Sequence, residues 1–158
     1  MVKGASLLPM LLLVLAVVAV DQLSKYYVQS KMSLGMSLPV VDNIFHITYI
    51  LNPGAAFGIL EHQTMFFIAI AVFMLAAVLY FYPRIPESSR ALRFGTGLMV
   101  GGAVGNVIDR VKTGYVIDFF DFRIWPVFNV ADMAIVGGVG LIIFSLYYLP
   151  EKKDGCND

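Results

Sequence analysis

The sequence predicts an α-helical integral membrane protein, with four transmembrane helices and a small β-sheet at the membrane surface. Three observations predict it. The 158 residues are 59% hydrophobic and only 14% charged, with a mean hydropathy of +0.79, whereas a soluble domain is about 45–50% apolar and about 25% charged. Four segments reach the roughly 20 mostly apolar residues that a bilayer crossing requires. One further segment is instead rich in β-branched and aromatic residues and punctuated by Gly35, Pro39 and Pro53, as strands are.

In chain order, the first span covers residues 5–27. Lys3 and the apolar run to Val20 look like a signal peptide, but no small-residue cleavage site follows and Asp21-Gln22 leads on to Tyr26-Tyr27, so this segment is expected to be retained as a helix. Residues 31–63 form the β segment, with strand character over 40–51 and a short helix expected over 55–61. The second span, 65–82, contains no charged residue. The third, 92–110, is rich in glycine, and the fourth covers 127–149. A polar tail follows, with the lone Cys156, so no internal disulfide is expected. The whole chain, 1–158, reads as a single membrane domain. Its formal net charge is zero, which gives nucleic acid no electrostatic footing.

Antiparallel spans bring four polar clusters to one face of the membrane. The first span leaves at Asp21-Gln22-Leu23-Ser24-Lys25 and the third at Asn106-Val107-Ile108-Asp109-Arg110. The second begins after Asn52-Pro53-Gly54, and the fourth after Asn129-Val130-Ala131-Asp132. Orientation follows from Lys and Arg, which favour the cytoplasmic side. With both termini inside, Lys3, Arg84, Arg90, Arg93, Lys152 and Lys153 lie inside, and Lys25, Lys31, Arg110, Lys112 and Arg123 outside. Lys25 and Arg110 sit within the polar clusters as candidate ion-pair partners. Setting them aside tilts the count toward cytoplasmic termini and an outward-facing, extracytoplasmic sheet and site.

Asp118 and Asp132 flank long apolar stretches, where an ionisable group is expensive and functional by default. Two carboxyls that share a proton and a water are minimum equipment for acid–base hydrolysis of an amide. A plainer reading makes Asn129 the N-cap of the fourth helix and Asp132 an acid in its first turn, but this leaves Asp118 and Asp121 unexplained. Asp21 and Lys25 form an i,i+4 pair in the favourable order, which either settles a helix end in the headgroups or orients the site. Ser24 beside Lys25 invites a Ser–Lys nucleophile, yet adjacent helical residues point about 100° apart. Asn106, Asp109 and Arg110 share a helix face. Asp109 is expected to pair with Arg110, and Asn106 to hydrogen-bond across the bundle. Gly97, Gly101 and Gly105 make a small-residue stripe, matched by Ala134 and Gly138 on the fourth span, and close packing there would bring Asp118 and Asp132 together. His46 and His62 read as a strand and a surface residue. No spacing supports a metal site, and no cofactor is expected.

These motifs resemble the lipoprotein signal peptidases (signal peptidase II), integral-membrane aspartyl proteases. The resemblance rests on Asp21-Gln-Leu-Ser-Lys25, Asn52-Pro-Gly-Ala-Ala-Phe57, Gly101-Gly-Ala-Val-Gly-Asn106-Val-Ile-Asp109-Arg110, Val116-Ile-Asp118-Phe119 and Phe128-Asn129-Val-Ala131-Asp132. They occur in the family's order across nearly the whole chain; Pro53 departs from the Thr of many relatives. The resemblance implies that Asp118 and Asp132 are the catalytic pair. Asn106, Asp109, Arg110, Asn129 and Ala131, with Asp21, Lys25, Asn52 and Gly54, would form the supporting or substrate-binding shell, and 31–63 the family's surface cradle. It further implies a substrate, a prolipoprotein whose lipobox cysteine carries diacylglycerol, and a location in the bacterial cytoplasmic membrane in contact with lipid.

A different class, a proton-coupled transporter or channel subunit, would also place acids in a membrane. Such a path should carry ionisable groups through the membrane depth, whereas the second span has none and the clusters gather at one face. A non-enzymatic scaffold leaves the paired aspartates without a role.

Overall fold

The computed structural model describes residues 6–54, 60, 61 and 63–148. The short helix expected over 55–61 falls mainly on residues outside this set, as do His62 and the tail with Cys156. Four α-helices carry the chain: α1 (Leu7–Lys31), α2 (Thr64–Phe81), α3 (Arg90–Thr113) and α4 (Val130–Tyr148). All four are long and apolar enough to cross a membrane once the 3-10 turn Tyr82–Arg84 is joined to α2. α1 continues to Lys31, past the expected end at Tyr27, so Asp21 and Lys25 lie inside a helix and not at its exit.

Three strands, β1 (Ser37–Val41), β2 (Phe45–Asn52) and β3 (Val116–Asp121), form one antiparallel sheet in the order β1-β2-β3. The hairpin β1–β2 is the β segment read from the sequence. β3 is an addition: the sequence reading left 116–121 without an element, and there it carries Asp118. Gly114 makes this strand possible. It caps α3 in the left-handed region at φ 82°, where a side chain is strained, and the chain turns at once from helix to strand. A cluster of Val28, Met32, Tyr49, Ile117 and Phe119 then seals the sheet onto the end of α1. Burying each large apolar side chain of this kind stabilises by about 1.5–3 kcal/mol.

α3 is the packing axis, with a buried run from Gly95 to Asp109. Its glycine stripes divide between two neighbours, which corrects the expected pairing. Gly97, Gly101 and Gly105 face α1: a Cβ at these positions would meet Leu13, Val17 and the Asp21 carboxylate. Contact with α4 runs instead through Gly95 and Gly102, which approach Gly138 and Ala131. The reason is geometric, since positions 95 and 102 are seven apart and lie on a different helix face from 97, 101 and 105.

Candidate active site

The polar residues enter the site from five elements, α1, β2, α3, β3 and the start of α4. Asp118 is the third residue of β3 and is 1% exposed. β2 lies alongside with Asn52 opposite Val116 and Ile50 opposite Asp118, so Asn52 and Asp118 are diagonal neighbours on one sheet face. The Asn52 amide donates to Asp118 Oδ2 at 2.8 Å. From the other side, the amide of fully buried Asn129 donates to Asp118 Oδ1 at 2.6 Å.

Asn129 is also the N-cap of α4. Its Oδ1 accepts the Asp132 backbone N–H at 2.9 Å, and Asp132 Oδ2 accepts the Asn129 backbone N–H at 3.2 Å. That reciprocal arrangement is a capping box. Capping and site-building, weighed as rivals from the sequence, are here one structure, because the residue that caps α4 also binds Asp118. Asn106 of α3 completes the frame, donating to Asp132 Oδ1 at 2.8 Å and accepting from Asn129 at 3.1 Å. Among the described residues, each of the four carboxylate oxygens of Asp118 and Asp132 thus accepts one hydrogen bond, which leaves lone-pair capacity for another partner.

Beneath this frame lies a second, charged layer. Lys25, 1% exposed, reaches Asp21 at 2.9 Å, Asp109 at 2.7 Å and Asn106 Oδ1 at 3.0 Å. Its three ammonium protons match three acceptors. Asp21 in turn accepts the Ala131 backbone N–H at 3.0 Å, and Asp109 accepts that of Ile117 at 3.3 Å, so the layer grips both the start of α4 and β3. The expected Asp109–Arg110 pair does not form; Asp109 turns to Lys25 because consecutive helical residues do not face each other. Arg110 instead donates to the Gly54 carbonyl at 2.8 Å and lies over the Phe67 ring at 4.4 Å. Ser24 donates to the Asp21 carbonyl, away from Lys25. Gln22, not singled out from the sequence, donates to Asp109 at 2.9 Å and lies against Asp21 and the Gly105 carbonyl. Its place in the Asp21–Lys25 motif was the available signal.

Burial, and then the neighbouring Asp132 carboxylate, push the Asp118 carboxyl from 3.8 up to about 7; the amides of Asn52 and Asn129 and the charge of Lys25 pull the other way. Asp121, at the end of β3, is the contrasting case. Although burial opposes it, hydrogen bonds from Thr48 and Arg123 hold its carboxyl below the usual range. It is a tie in the sheet and takes no part in the frame.

Asp118 and Asp132 open onto one cavity of about 750 Å³. Asn52, Gly54, Asn106 and Arg110 line its polar end, and Trp125, Val127, Met133 and Val136 its apolar wall. Two carboxyls with a shareable proton beside a mixed polar and apolar cavity can activate a water against an amide. Among the described residues, no group of three or more His, Cys, Asp or Glu is placed to hold a metal ion.

The model of the Signal peptidase (SPase) II family matches residues 13–148. The chain is 49% identical over 148 residues to a lipoprotein signal peptidase of Moorella thermoacetica, covering 94% of this chain and 98% of that one. It is 48% identical over 142 residues to another from Pelotomaculum thermopropionicum, at 90% and 93% coverage. Among solved structures, it resembles a bacterial membrane enzyme determined by the in meso method at 2.3 Å, with TM-score 0.86 and 36% identity over 98% of this chain and 99% of that one. A second such structure, at 1.9 Å, gives TM-score 0.82 at 37% identity over 94% and 98%.

Proposed function

The chain belongs to the signal peptidase II family, a multi-pass membrane protease of lipoprotein processing, and from that premise we propose an aspartyl mechanism for the removal of signal peptides from diacylglyceryl-modified prolipoproteins. The cut falls just before the lipidated cysteine. The observation that carries the mechanism is the position of Asn129, which hydrogen-bonds Asp118 through its side chain and Asp132 through its backbone and so ties together two carboxyls that line one cavity.

Near neutral pH the pair holds one proton, with Asp118 raised to about 7. The ionised carboxylate of the pair takes a proton from a water held between the two. The resulting hydroxide adds to the scissile carbonyl carbon while the protonated carboxyl gives its proton to the carbonyl oxygen. Proton return to the leaving nitrogen breaks the C–N bond, leaving a carboxyl end on the signal peptide and a free α-amine on the lipidated cysteine. No acyl-enzyme forms, so serine and cysteine reagents leave activity intact. The supporting shell positions. Lys25, Asp21 and Asp109 hold the start of α4 to β3, while Arg110 and Asn52 fix Gly54 at the rim. The apolar wall of Trp125, Val127, Met133 and Val136 suits the diacylglyceryl group, which stays in the bilayer while the peptide bond meets water. Both termini are assigned to the cytoplasm and the site to the outer face, in a bacterial cytoplasmic membrane.

The test is cleavage of a diacylglyceryl-modified prolipoprotein by purified protein, comparing wild type with Asp118→Asn and Asp132→Asn, all checked for folding. Wild type should cut before the lipidated cysteine, and each folded variant should be inert. Cleavage by both variants would move the chemistry elsewhere, and a wild type inert on lipidated substrate would remove the substrate assignment.

A further inference from the structure

At the end of the bundle opposite the aspartates, the structure holds a second cavity, of about 290 Å³. Pro9 and Leu13 of α1, Tyr82, and Arg90, Arg93 and Phe94 of α3 line it. The cavity combines two chemistries. One wall is apolar and open to the side of the bundle, where Phe94 is 51% exposed. The other carries two guanidinium groups three residues apart on one helix, a like-charge spacing that is unfavourable unless an anion joins them.

No described acid supplies that anion. The ion pairs among the described residues involve Lys25 and Arg123, and neither Arg90 nor Arg93. Arg93 is nevertheless held in place: its Nε donates to Tyr82 Oη at 3.4 Å and its Nη2 to the Ser6 carbonyl at 3.4 Å, with the guanidinium 5.8 Å from the Tyr82 ring centre. Tyr82 is itself buried against Met10. These contacts are long and leave donors over. A guanidinium fixed in this way presents its remaining N–H groups in a planar fork suited to phosphate oxygens.

We infer that this cavity binds an anionic glycerophospholipid, with the phosphate between Arg90 and Arg93 and an acyl chain along Pro9, Leu13 and Phe94. The apolar wall selects a lipid over a free anion. The site is distinct from the active site, since α3 places Arg90 and Asp109 at its two ends, about 1.5 Å per residue apart along the axis.

The experiment is native mass spectrometry of the full chain in detergent with equal amounts of phosphatidylglycerol and phosphatidylcholine. Wild type should retain phosphatidylglycerol in excess. Arg90→Gln and Arg93→Gln should each cut that excess roughly fivefold, the worth of one cation near an anionic headgroup. The double Arg→Lys variant should keep most of it, which separates lost charge from a lost fold. Equal retention of the two lipids by wild type, or an undiminished excess in the double Gln variant, would overturn the inference. So would complete displacement of the lipid by inorganic phosphate, which would make this a plain anion site. A phosphatidylglycerol excess seen only after deletion of residues 149–158 would also overturn it, since the tail's own acids would then occupy the arginines.

Discussion

Replacing Asp118 with asparagine removes a charge that the fold holds at a disadvantage, and that disadvantage is measurable as a pH-dependent stability. The carboxyl is 1% exposed and is pushed from 3.8 to about 7 by burial and then by Asp132. An acid whose folded pKa is raised binds more protons folded than unfolded. Its contribution is therefore fully present below the unfolded value and is lost as pH rises from there through about 7, levelling off above. Integrated between about pH 5 and about pH 8, the loss is about 2–3 kcal/mol. For a chain of this size that corresponds to roughly 5–10 °C in melting temperature. The introduced amide would also oppose its own donors to those of Asn52 and Asn129, but that penalty does not vary with pH and cancels between the two conditions. The assay is thermal unfolding of wild type and Asp118→Asn in detergent at both pH values. The variant should gain on wild type by that margin as pH rises. A gap that is the same at both values would refute the raised carboxyl and, with it, a proton shared by the pair.

Three other outcomes are expected. Asn129→Ser keeps an N-cap of similar quality but removes the amide that donates to Asp118. Losing a donor to the ionised form raises the carboxyl further, so the alkaline limb of the pH–rate profile should move up by about one to two units; an unmoved limb would argue against Asp118 as a titrating member of the pair. Lys25→Met leaves Asp21 and Asp109 buried without their cation and should destabilise the fold by about 3–5 kcal/mol, read as melting temperature and yield; a loss near zero would mean that the charged layer is dispensable. Gly102→Ala drives a Cβ onto the Ala131 carbonyl and must shift the first turn of α4, so cleavage should fall by about a hundredfold. Gly137→Ala, with nothing within 4 Å of the new Cβ, should be silent, and similar rates for both would refute the packing argument.

How much of this was legible in the sequence depended on whether the signal was local. Four apolar runs of spanning length announce themselves, and so does a β-branched segment between Gly35 and Pro53. β3 did not, because six residues between two helices are too few for a period to stand out; the β-branched and aromatic residues Val116, Ile117, Phe119 and Phe120 after Gly114 were the trace it left. The polar clusters were readable as a set, since alternating spans must bring them to one face. Their partners were not. Asp109 and Arg110 look paired because they are adjacent, yet the argument that separates Ser24 from Lys25 separates them too, and only the packing of α1 on α3 reveals Lys25 as the cation. The glycine stripes failed in the same way: spacing shows that some helix comes close, but not which one.

The pattern of partners explains why a shareable proton survives so near two cations. Every hydrogen bond that the described residues donate to Asp118 and Asp132 comes from a neutral amide: the side chains of Asn52, Asn106 and Asn129, and the Asn129 backbone. A guanidinium or ammonium in direct contact would favour the ionised form strongly and hold both carboxyls charged. Lys25 is kept from this by having its three protons taken by Asp21, Asp109 and Asn106. Arg110 is kept from it by the Gly54 carbonyl and the Phe67 ring. Asn106 joins the two layers, accepting from Lys25 and donating to Asp132, so the charged layer fixes the position of the Asp132 carboxyl without supplying a formal charge at contact distance. Carboxylates that serve as structure are bound by a cation, as Asp21, Asp109 and Asp121 are. Among the described residues the two assigned to chemistry receive hydrogen bonds only from amides, so no contacting cation offsets the burial that raises Asp118 to about 7.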